Sequence, residues 1–381
     1  MLRIGIAGIG YIAETYIKLQ AERKIKGCVI CAICSRNREH MQEVQSGYKL
    51  DNAELYTDYG VMLDSGRIDA VLICTPHRMH IKMAREALDR GIHALVEKPV
   101  GVCIDEGEEL LHTVHLHPEL TAGVLYCRRT SKAYGELRRM ISGGELGAIK
   151  RVNWLITNLY RTQAYHSSQA WKGTWKGEGG GLLLTQVSHQ MDLLVWLMGM
   201  PGQVQGFCGY GIEREIEVEN EVLLQMWYPG NTTVQFIASS REFPGTNRIE
   251  ISGSKGQVIL ENDRDMRYRK LTLDEREYSR TTDEVYGSIP YVEETKRFDD
   301  ADNSVQQAAI VNNFIQAVQG RENVLCPVEE ALKSLELING AYLSSWREQA
   351  VRFPLNSREY KEEWEKRCNE KEGNDKQCHN R

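Results

Sequence analysis

The chain of 381 residues carries 47 Lys and Arg against 53 Asp and Glu, a formal charge of −6, and is 41% apolar and 26% charged. This composition argues against wholesale disorder and a basic nucleic-acid surface, and no apolar stretch approaches the ~20 residues of a membrane helix. A chain of this length exceeds one ordinary hydrophobic core, so we expect two domains. We also expect a cytoplasmic protein, because ten cysteines accompany an N-terminus without a secretory signal pattern.

The first third of the sequence alternates short apolar runs with helical patterns. The apolar runs, each predicted to be a strand, are residues 2–7, 29–34, 55–57, 69–74, 93–96 and 120–125. Continuous apolar strands separated by helices are typical of a parallel sheet that is covered on both faces. The pattern predicts an α/β domain with a doubly wound parallel sheet over residues 1–123.

Beyond residue 123 the predicted strands become longer and alternate apolar with polar residues. They are residues 149–158, 204–210, 219–228, 232–239, 248–252 and 257–261. Short turns such as Pro229-Gly230-Asn231 join them, which predicts an antiparallel sheet in an α+β domain over residues 124–356. Three helices are expected to cover one face of this sheet, at residues 181–198, 303–318 and 328–349. A charged C-terminal tail follows at residues 357–381.

Three cysteines, Cys28, Cys31 and Cys34, are spaced like the ligands of an iron–sulfur cluster. The residues between them are Val, Ile, Ala and Ile, which predict a buried strand. Because side chains alternate along a strand, Cys28 and Cys34 face one way and Cys31 the other. We therefore interpret them as small buried side chains and expect no metal site.

A glycine motif, G-x-G-x-x-A, directly follows the first predicted strand and opens a helix. Gly8 permits a tight turn, Gly10 lets a pyrophosphate approach the backbone, and Ala13 keeps helix and strand close. The N–H groups at the start of this helix, around Tyr11 and Ile12, are free to bind phosphate. The motif predicts a dinucleotide-binding site.

The second strand ends where NAD-binding domains place an acidic residue for the adenosine ribose. This chain has Ser35 and Arg36 there. A carboxylate would repel a 2′-phosphate, whereas a hydroxyl and a guanidinium can bind one, so the pair favours NADP over NAD. NAD stays an alternative, because Arg36 can also stack on adenine or bind nothing at all.

Three motifs, in order along the chain, resemble those of the Gfo/Idh/MocA oxidoreductases. They are Thr75-Pro76-His77-Arg78-Met79-His80, Glu97-Lys98-Pro99, and the segment that runs from Gly179-Gly180-Gly181 to His189 and Asp192. The resemblance extends from residue 2 to about residue 353. It implies a Rossmann domain and an open, predominantly antiparallel sheet domain, a nicotinamide cofactor, and a sugar or cyclitol substrate bound between the two domains.

The first two motifs hold the expected cofactor-side and catalytic residues. Thr75, Pro76 and Glu97 are expected beside the cofactor with Lys98, and His80 is expected to organise the turn at Thr75. Lys98 follows the carboxyl end of a parallel strand, where α/β sheets bind ligands, and its ammonium can stabilise an oxygen that becomes anionic as a hydride leaves. We predict that Lys98 is catalytic; the alternative is a solvated lysine. The resemblance implies a cis peptide bond after it.

His189 and Asp192 lie three residues apart on one helix face. A neutral imidazole can take a hydroxyl proton near neutral pH, and the resemblance implies that His189 is the general base. The alternative is a core histidine bonded to backbone. Many family members carry Asp four residues earlier, where this chain has Thr185; Thr185-Gln186 resembles the Asn-Gln of some sugar-acting relatives. A hydroxyl is no acid–base group at pH 7, so proton transfer is assigned to His189 and Lys98.

An aromatic and basic loop precedes the three glycines. Its residues Tyr160, Arg161, Tyr165 and Trp175 combine ring faces for the C–H side of a sugar with hydrogen-bond donors for its hydroxyls. We expect these four, with Thr185, Gln186 and Asp192, to bind substrate. The alternative for the loop is packing on a neighbouring subunit.

The sequence therefore predicts an NAD(P)-dependent dehydrogenase of a pyranose sugar or glycoside. The Thr185-Gln186 variant favours oxidation at C3 of a hexoside by resemblance alone. Two alternatives stay open within the same family: a glycosidase that uses tightly bound NAD in a transient oxidation, and a non-catalytic nucleotide-sensing regulator. The resemblance also implies a homodimer or homotetramer built through the open sheet.

Overall fold

The computed structural model describes residues 1–300 and 302–378, with side chains up to residue 369. The chain forms two compact units, residues 1–130 with 302–335, and residues 131–300 with the described chain from 336 onward. The sequence predicted one boundary at residue 123. The first unit extends beyond it and also takes in a segment from far along the chain.

The strands lie in two sheets. In chain order they are β1 (Leu2–Ala7), β2 (Cys28–Cys34), β3 (Glu54–Tyr56), β4 (Ala70–Ile73), β5 (His93–Val96), β6 (Ala122–Val124), β7 (Ile149–Ile156), β8 (Gln203–Tyr210), β9 (Glu219–Trp227), β10 (Thr233–Ser239), β11 (Asn247–Gly253), β12 (Gly256–Glu261), β13 (Asp265–Leu271), β14 (Tyr291–Arg297) and β15 (Val351–Arg352).

The α-helices connect and cover these strands. In chain order they are α1 (Tyr11–Ala21), α2 (Arg38–Gly47), α3 (Tyr59–Asp64), α4 (His77–Leu88), α5 (Ile104–Leu116), α6 (Lys132–Ser142), α7 (Gln163–Ser167), α8 (Ser188–Met198), α9 (Glu275–Thr281), α10 (Asn303–Val318), α11 (Val328–Arg347) and α12 (Ser357–Cys378). Across the described residues, no helix combines the length and the apolar character that crossing a membrane demands.

The first unit is built on a six-stranded sheet in the order β3-β2-β1-β4-β5-β6, in which every neighbouring pair is parallel. The predicted doubly wound parallel sheet is confirmed. Two of its helices begin at the residues expected from capping chemistry, because Asn37 and Asp58 accept hydrogen bonds from the third backbone N–H beyond them. The strand order reverses between β1 and β4, which places a ligand-binding crevice at their carboxyl ends.

The segment from residue 302 to 335 completes the first unit. Helix α10 contacts α1, and Asn312 bonds to the backbone of Lys24 and of Lys26, each at 2.8 Å. Val124 N then donates to Cys326 O at 3.0 Å beside the edge strand β6. The prediction that this helix covers the second sheet is wrong, because apolar periodicity shows that a helix face is buried but not what buries it.

The second unit is built on a nine-stranded sheet in the order β14-β13-β12-β11-β7-β10-β9-β8-β15. Strands β7 and β10 pair in parallel, and the other neighbouring pairs are antiparallel. The predominantly antiparallel sheet is confirmed. Strands β13, β14 and β15 were not predicted. Every residue of β14 is exposed, so no apolar alternation marks it in the sequence.

One face of this sheet is covered and the other is open. On the covered face, the Trp154 ring is buried 5.9 Å from the ring of Tyr134 on α6. The open face carries three large apolar side chains, Phe207, Leu223 and Trp227, which are 59%, 48% and 37% exposed. Phe207 pairs directly with Leu223 across β8 and β9.

The C-terminal helix α12 begins as a packed element. Tyr360 is fully buried with its ring stacked 5.5 Å from that of Trp346, and Trp364 is 5% exposed. The Trp364 indole nitrogen donates to the Gly179 carbonyl at 3.0 Å. The first half of the charged tail is therefore packed against the rest of the second unit. Residues 379–381 of the predicted tail lie outside the described residues.

We expect Trp364→Ala to lower the free energy of unfolding by about 3 kcal/mol or more, because it removes a buried ring and a hydrogen bond. The matched control is Trp171→Ala, which truncates a 37% exposed ring and should change stability by about 0.5 kcal/mol or less. Urea denaturation of both variants is the measurement. Equal losses in the two would show that α12 is not anchored by Trp364.

Candidate functional site

The glycine turn after β1 has the geometry of a dinucleotide cradle. Gly8 has a φ of +88°, and a Cβ there would lie 2.8 Å from the Cys74 carbonyl oxygen. Gly8 therefore allows the turn to approach the end of β4. A Cβ on Gly10 would meet no atom within 4 Å, so its backbone borders open space where a ligand can approach. Ala13 is fully buried.

Helix α1 presents its N-terminus beside this turn. Gly10 is the N-cap and no side chain caps the helix, while Tyr11 is 88% exposed. Uncapped N–H groups and the partial positive charge of a helix N-terminus bind phosphate. The residues present therefore fit the pyrophosphate of a dinucleotide.

The end of β2 carries the residues predicted to read the adenosine ribose. Arg36 is exposed and lines a shallow surface pocket with Asn37, Arg38 and Glu39. Ser35 is half-buried, and its Oγ accepts from Asn37 N at 3.4 Å. Sequence reasoning missed Arg38, which brings a second guanidinium to the pocket. Its signal was a second arginine two residues after Arg36.

His80 connects two loops of the first unit rather than presenting its ring to solvent. It is fully buried, with Nδ1 2.8 Å from the Pro99 oxygen and Nε2 2.7 Å from the Thr75 oxygen. Burial lowers the pKa of its imidazole. Its expected role in organising the turn at Thr75 agrees with these contacts, whereas Pro76 itself is exposed.

Lys98 directly follows Glu97, a buried carboxylate at the end of β5. The Tyr16 hydroxyl on α1 donates to Glu97 Oε1 at 2.6 Å, and Lys98 N donates to Oε2 at 2.8 Å. Burial raises the pKa of Glu97. The Lys98–Pro99 peptide bond is cis, as the resemblance implies, and Lys98 is half-buried. Glu97 thus ties the helix of the glycine turn to the backbone of Lys98.

The three glycines of the second unit allow close packing at the start of the segment that leads to His189. A Cβ on Gly180 would lie 2.5 Å from the Tyr342 hydroxyl, and one on Gly181 would collide with the Glu219 carbonyl oxygen. A π-helical turn over Leu182–Gln186 follows, and α8 then begins at Ser188. The sequence predicted one continuous helix from residue 181.

Glu219 holds this turn from β9. It is 1% exposed and accepts hydrogen bonds from Gly181 N at 3.0 Å, from Leu183 N at 2.7 Å and from the Tyr342 hydroxyl at 2.8 Å. Burial raises its pKa to about 7. Sequence reasoning missed Glu219; its only signal was a carboxylate at the start of an otherwise apolar strand.

The residues expected to act on substrate from α8 and its turn differ in accessibility. His189 and Gln186 are half-buried, whereas Asp192 is fully buried. Thr185 is 8% exposed, and its hydroxyl donates to the Gly181 carbonyl at 2.8 Å within its own turn. Among the described residues, the Gln186 side-chain oxygen has no hydrogen-bond partner. His189 and Gln186 are therefore the accessible members of this set.

The aromatic loop separates into an exposed part and a packed part. Tyr160 is 40% exposed, and Arg161 and Tyr165 are half-buried with the guanidinium carbon 5.1 Å from the ring centroid. Trp175 is 5% exposed and packs edge-on against Trp346 at 5.4 Å. Its ring serves the packing of the unit, and its expected contact with substrate stays a prediction.

The three closely spaced cysteines lie on β2, as predicted. Cys28 and Cys34 are buried, and burial raises the pKa of each thiol to about 11. Cys31 is half-buried. Over the part of the chain that the structure describes, no group of three or more His, Cys, Asp or Glu side chains is arranged to hold a metal ion.

A dinucleotide cradle on a parallel sheet, joined to a unit with a large antiparallel sheet, is typical of a class of nicotinamide-dependent oxidoreductases. Residues 2–121 match the oxidoreductase family with an NAD-binding Rossmann fold, and residues 134–259 match the GFO/IDH/MocA C-terminal domain. The chain belongs to the GFO/IDH/MocA family, and the resemblance found in its motifs is confirmed.

Two curated relatives illustrate the distance within the family. An uncharacterised oxidoreductase of Synechocystis sp. is 26% identical over 278 residues, which cover 69% of this chain and 72% of the relative. The inositol 2-dehydrogenase of Salmonella typhimurium is 23% identical over 197 residues, which cover 52% of this chain and 54% of the relative.

Two solved structures share the fold. Levoglucosan dehydrogenase in complex with NADH and levoglucosan gives a TM-score of 0.78 at 17% identity, over 93% of this chain and 99% of that one. The WlbA dehydrogenase from Bordetella pertussis, in complex with NADH and UDP-GlcNAcA, gives 0.75 at 22% identity over the same shares.

Glu219→Gln should remove a pH dependence from the stability of the protein. Because burial raises the Glu219 pKa to about 7, the folded chain holds this proton at pH values where the unfolded chain has lost it. The free energy of unfolding of the wild type should therefore fall between about pH 5 and about pH 8 by more than that of the variant.

Chemical denaturation across this pH range measures the effect. Glu215→Gln, which neutralises an exposed glutamate a few residues away, is the control and should keep the wild-type decline. A decline of equal size in wild type and Glu219→Gln would refute the assignment.

Proposed function

We propose that the protein is an NAD(P)-dependent dehydrogenase that oxidises a secondary hydroxyl of a pyranose sugar or glycoside. The observation that carries the proposal is the position of Lys98, which Glu97 fixes at the end of β5 in the same unit as the glycine cradle. The activities of a relative, inositol 2-dehydrogenase, and of a protein that shares the fold, levoglucosan dehydrogenase, support a polyhydroxylated substrate.

The residues of the first unit would hold the cofactor in a defined way. Gly8, Gly10 and the first N–H groups of α1 would bind the pyrophosphate, and Arg36 with Ser35 would face the adenosine ribose. A bound nicotinamide ring accepts a hydride from a carbinol carbon. We propose NADP as the preferred form, because no carboxylate in the Ser35-Arg36 pair repels a 2′-phosphate.

The proton chemistry would fall to two residues. As the hydride leaves carbon, the hydroxyl loses its proton and the C–O bond becomes a carbonyl. His189 would accept the proton, since a neutral imidazole is a base near pH 7. The Lys98 ammonium would stabilise the negative charge on the oxygen during transfer.

The position oxidised is proposed as C3 of a hexoside, on the resemblance of Thr185-Gln186 to sugar-acting relatives. The test is product analysis after incubation with a panel of glycosides. Reduced nicotinamide with a C3 ketone supports the proposal. Release of aglycone without net reduction of the cofactor would instead identify the glycosidase of the same family.

The open sheet supports a homodimer or homotetramer. Phe207, Leu223 and Trp227 form an exposed apolar surface, and such surfaces in soluble proteins are typically covered by a partner. Light scattering of the purified chain tests this. A monomer at micromolar concentration would contradict it.

Arg36→Asp should reverse the cofactor preference. A guanidinium pairs with a phosphate through two hydrogen bonds, so its loss should weaken NADP binding by about tenfold or more, with little loss for NAD. Arg23→Asp, at an exposed position two residues beyond the C-terminal end of α1, is the control. Calorimetric titration with both cofactors measures the ratio. Equal weakening of NAD and NADP would indicate that Arg36 stacks on adenine.

Lys98→Met should lower kcat on the order of 100- to 1000-fold, as for other lost donors to a developing oxyanion. The dissociation constant of the cofactor should barely change, because the glycine cradle binds the phosphates. Lys82→Met, at an exposed position of α4, controls for loss of a lysine and should keep full activity. A normal kcat in Lys98→Met would reject the catalytic role.

His189→Ala should lower kcat on the order of 100-fold or more. It should also abolish the acidic limb of the pH–rate profile for oxidation, because that limb arises when the imidazole base is protonated. His115→Ala, at an exposed position on α5, should leave both unchanged. If the limb persists in His189→Ala, the base lies elsewhere, and Tyr160 or Tyr165 would be tested next.

A further inference from the structure

Three basic side chains of the second unit, Arg161, His166 and Lys172, lie around the ring of Tyr165, and Arg214 lies over the ring of Tyr160. These four side chains are here called the basic loop cluster. The Arg161 guanidinium carbon lies 5.1 Å and Lys172 Nζ 4.1 Å from the centroid of that ring. The His166 ring lies 5.1 Å from it edge-on, and Arg214 Nε donates to the Arg161 carbonyl at 3.0 Å.

The three cationic side chains Arg161, Lys172 and Arg214 form no ion pair within the described chain. None of Arg161, Lys172 and Arg214 has a carboxylate oxygen within 4.0 Å. Their hydrogen bonds go to neutral oxygens instead. Arg161 donates to the Tyr160 carbonyl at 2.9 Å, and Lys172 donates to the Ser168 hydroxyl at 3.0 Å. Like charges held together without a counter-ion repel one another, so the cluster favours an anion.

His166 adds an unusual buried polar group to the cluster. It is 7% exposed, and neither ring nitrogen has a hydrogen-bond partner among the described residues. Buried polar groups are nearly always paired, and an exception calls for a partner that the chain itself does not supply. Burial and the charges of Arg214, Lys172 and Arg161 lower the His166 pKa. A bound anion would reduce the repulsion among the cations and would give the His166 ring a hydrogen-bond partner.

The cluster is anchored to the same stretch of chain that holds the His189 segment. Glu217 N donates to the Gly173 carbonyl at 2.7 Å, and Glu217 Oε2 accepts from Trp175 N at 3.1 Å. Two residues later, Glu219 holds the turn that leads into α8. Glu217 and Glu219 therefore hold, from one short stretch of chain, both the loop that carries the cluster and the turn before the helix that carries His189.

We infer that the basic loop cluster binds a carboxylate or phosphate group of the substrate. Guanidinium groups pair with these anions through two parallel hydrogen bonds, and Lys172 supplies a point charge. The inference rests on the proposed function and narrows it to acidic sugars or sugar phosphates. His166, Lys172 and Arg214 become specificity-determining residues for the anionic group.

The test is calorimetric titration of the full chain with D-glucuronate, D-glucose 6-phosphate and neutral D-glucose, in the presence of saturating cofactor. We expect one or both anions to bind at least tenfold more tightly than glucose at low salt, and the advantage to shrink as salt is raised. The two anions distinguish a carboxylate from a phosphate preference.

Arg214→Gln and Lys172→Gln should each reduce the anion advantage about tenfold and leave glucose binding unchanged. Arg151→Gln, on the exposed side of β7, is the matched control and should keep the advantage. Equal binding of the three sugars, or no binding of either anion, would overturn the inference, while turnover of neutral glycosides would still test the proposed function. A change in the mass of the variants in solution would overturn it as well, since the cluster would then belong to a subunit contact.

Discussion

A buried carboxylate that accepts backbone N–H groups fixes the functional segment in each unit. Glu97 does so for Lys98, and Glu219 does so for the turn before His189. Removing a carboxylate from water is costly, and only hydrogen bonds to its charged form offset that cost. Burial raises the pKa of both groups, and their hydrogen bonds act in the opposite direction. The fold places both buried carboxylates where the backbone leads into a predicted site residue.

The close approach of backbone segments depends on glycine in both units. Gly8 lets the first turn touch the end of β4, and Gly181 lets the π-helical turn meet β9. The close approach at Gly181 lets the Glu219 carboxylate reach the backbone donors of the turn. A side chain at Gly181 would displace the turn from Glu219. The hydrogen bonds of the carboxylate therefore depend on the glycine.

A structural element could be predicted where its signal lies within a short stretch of the sequence. The parallel sheet and the glycine cradle depend on short patterns, and both were predicted and found. Strand β14 has no such signal, because all its residues are exposed, and α10 has an apolar face whose partner depends on the tertiary fold. For the site, Lys98 and His189 follow from motifs. Glu219 could not be found because its role arises from contacts with residues 36 or more positions away.

The return of residues 302–335 to the first unit has a consequence for synthesis on the ribosome. The Rossmann sheet is complete in sequence by residue 124, but the helix that packs on α1 emerges only after roughly 200 more residues. At bacterial or eukaryotic elongation rates this is a delay on the order of 10–40 s. During that interval the apolar surface beneath α10 is unprotected. The second unit is completed later still, because it includes the chain from residue 336 onward.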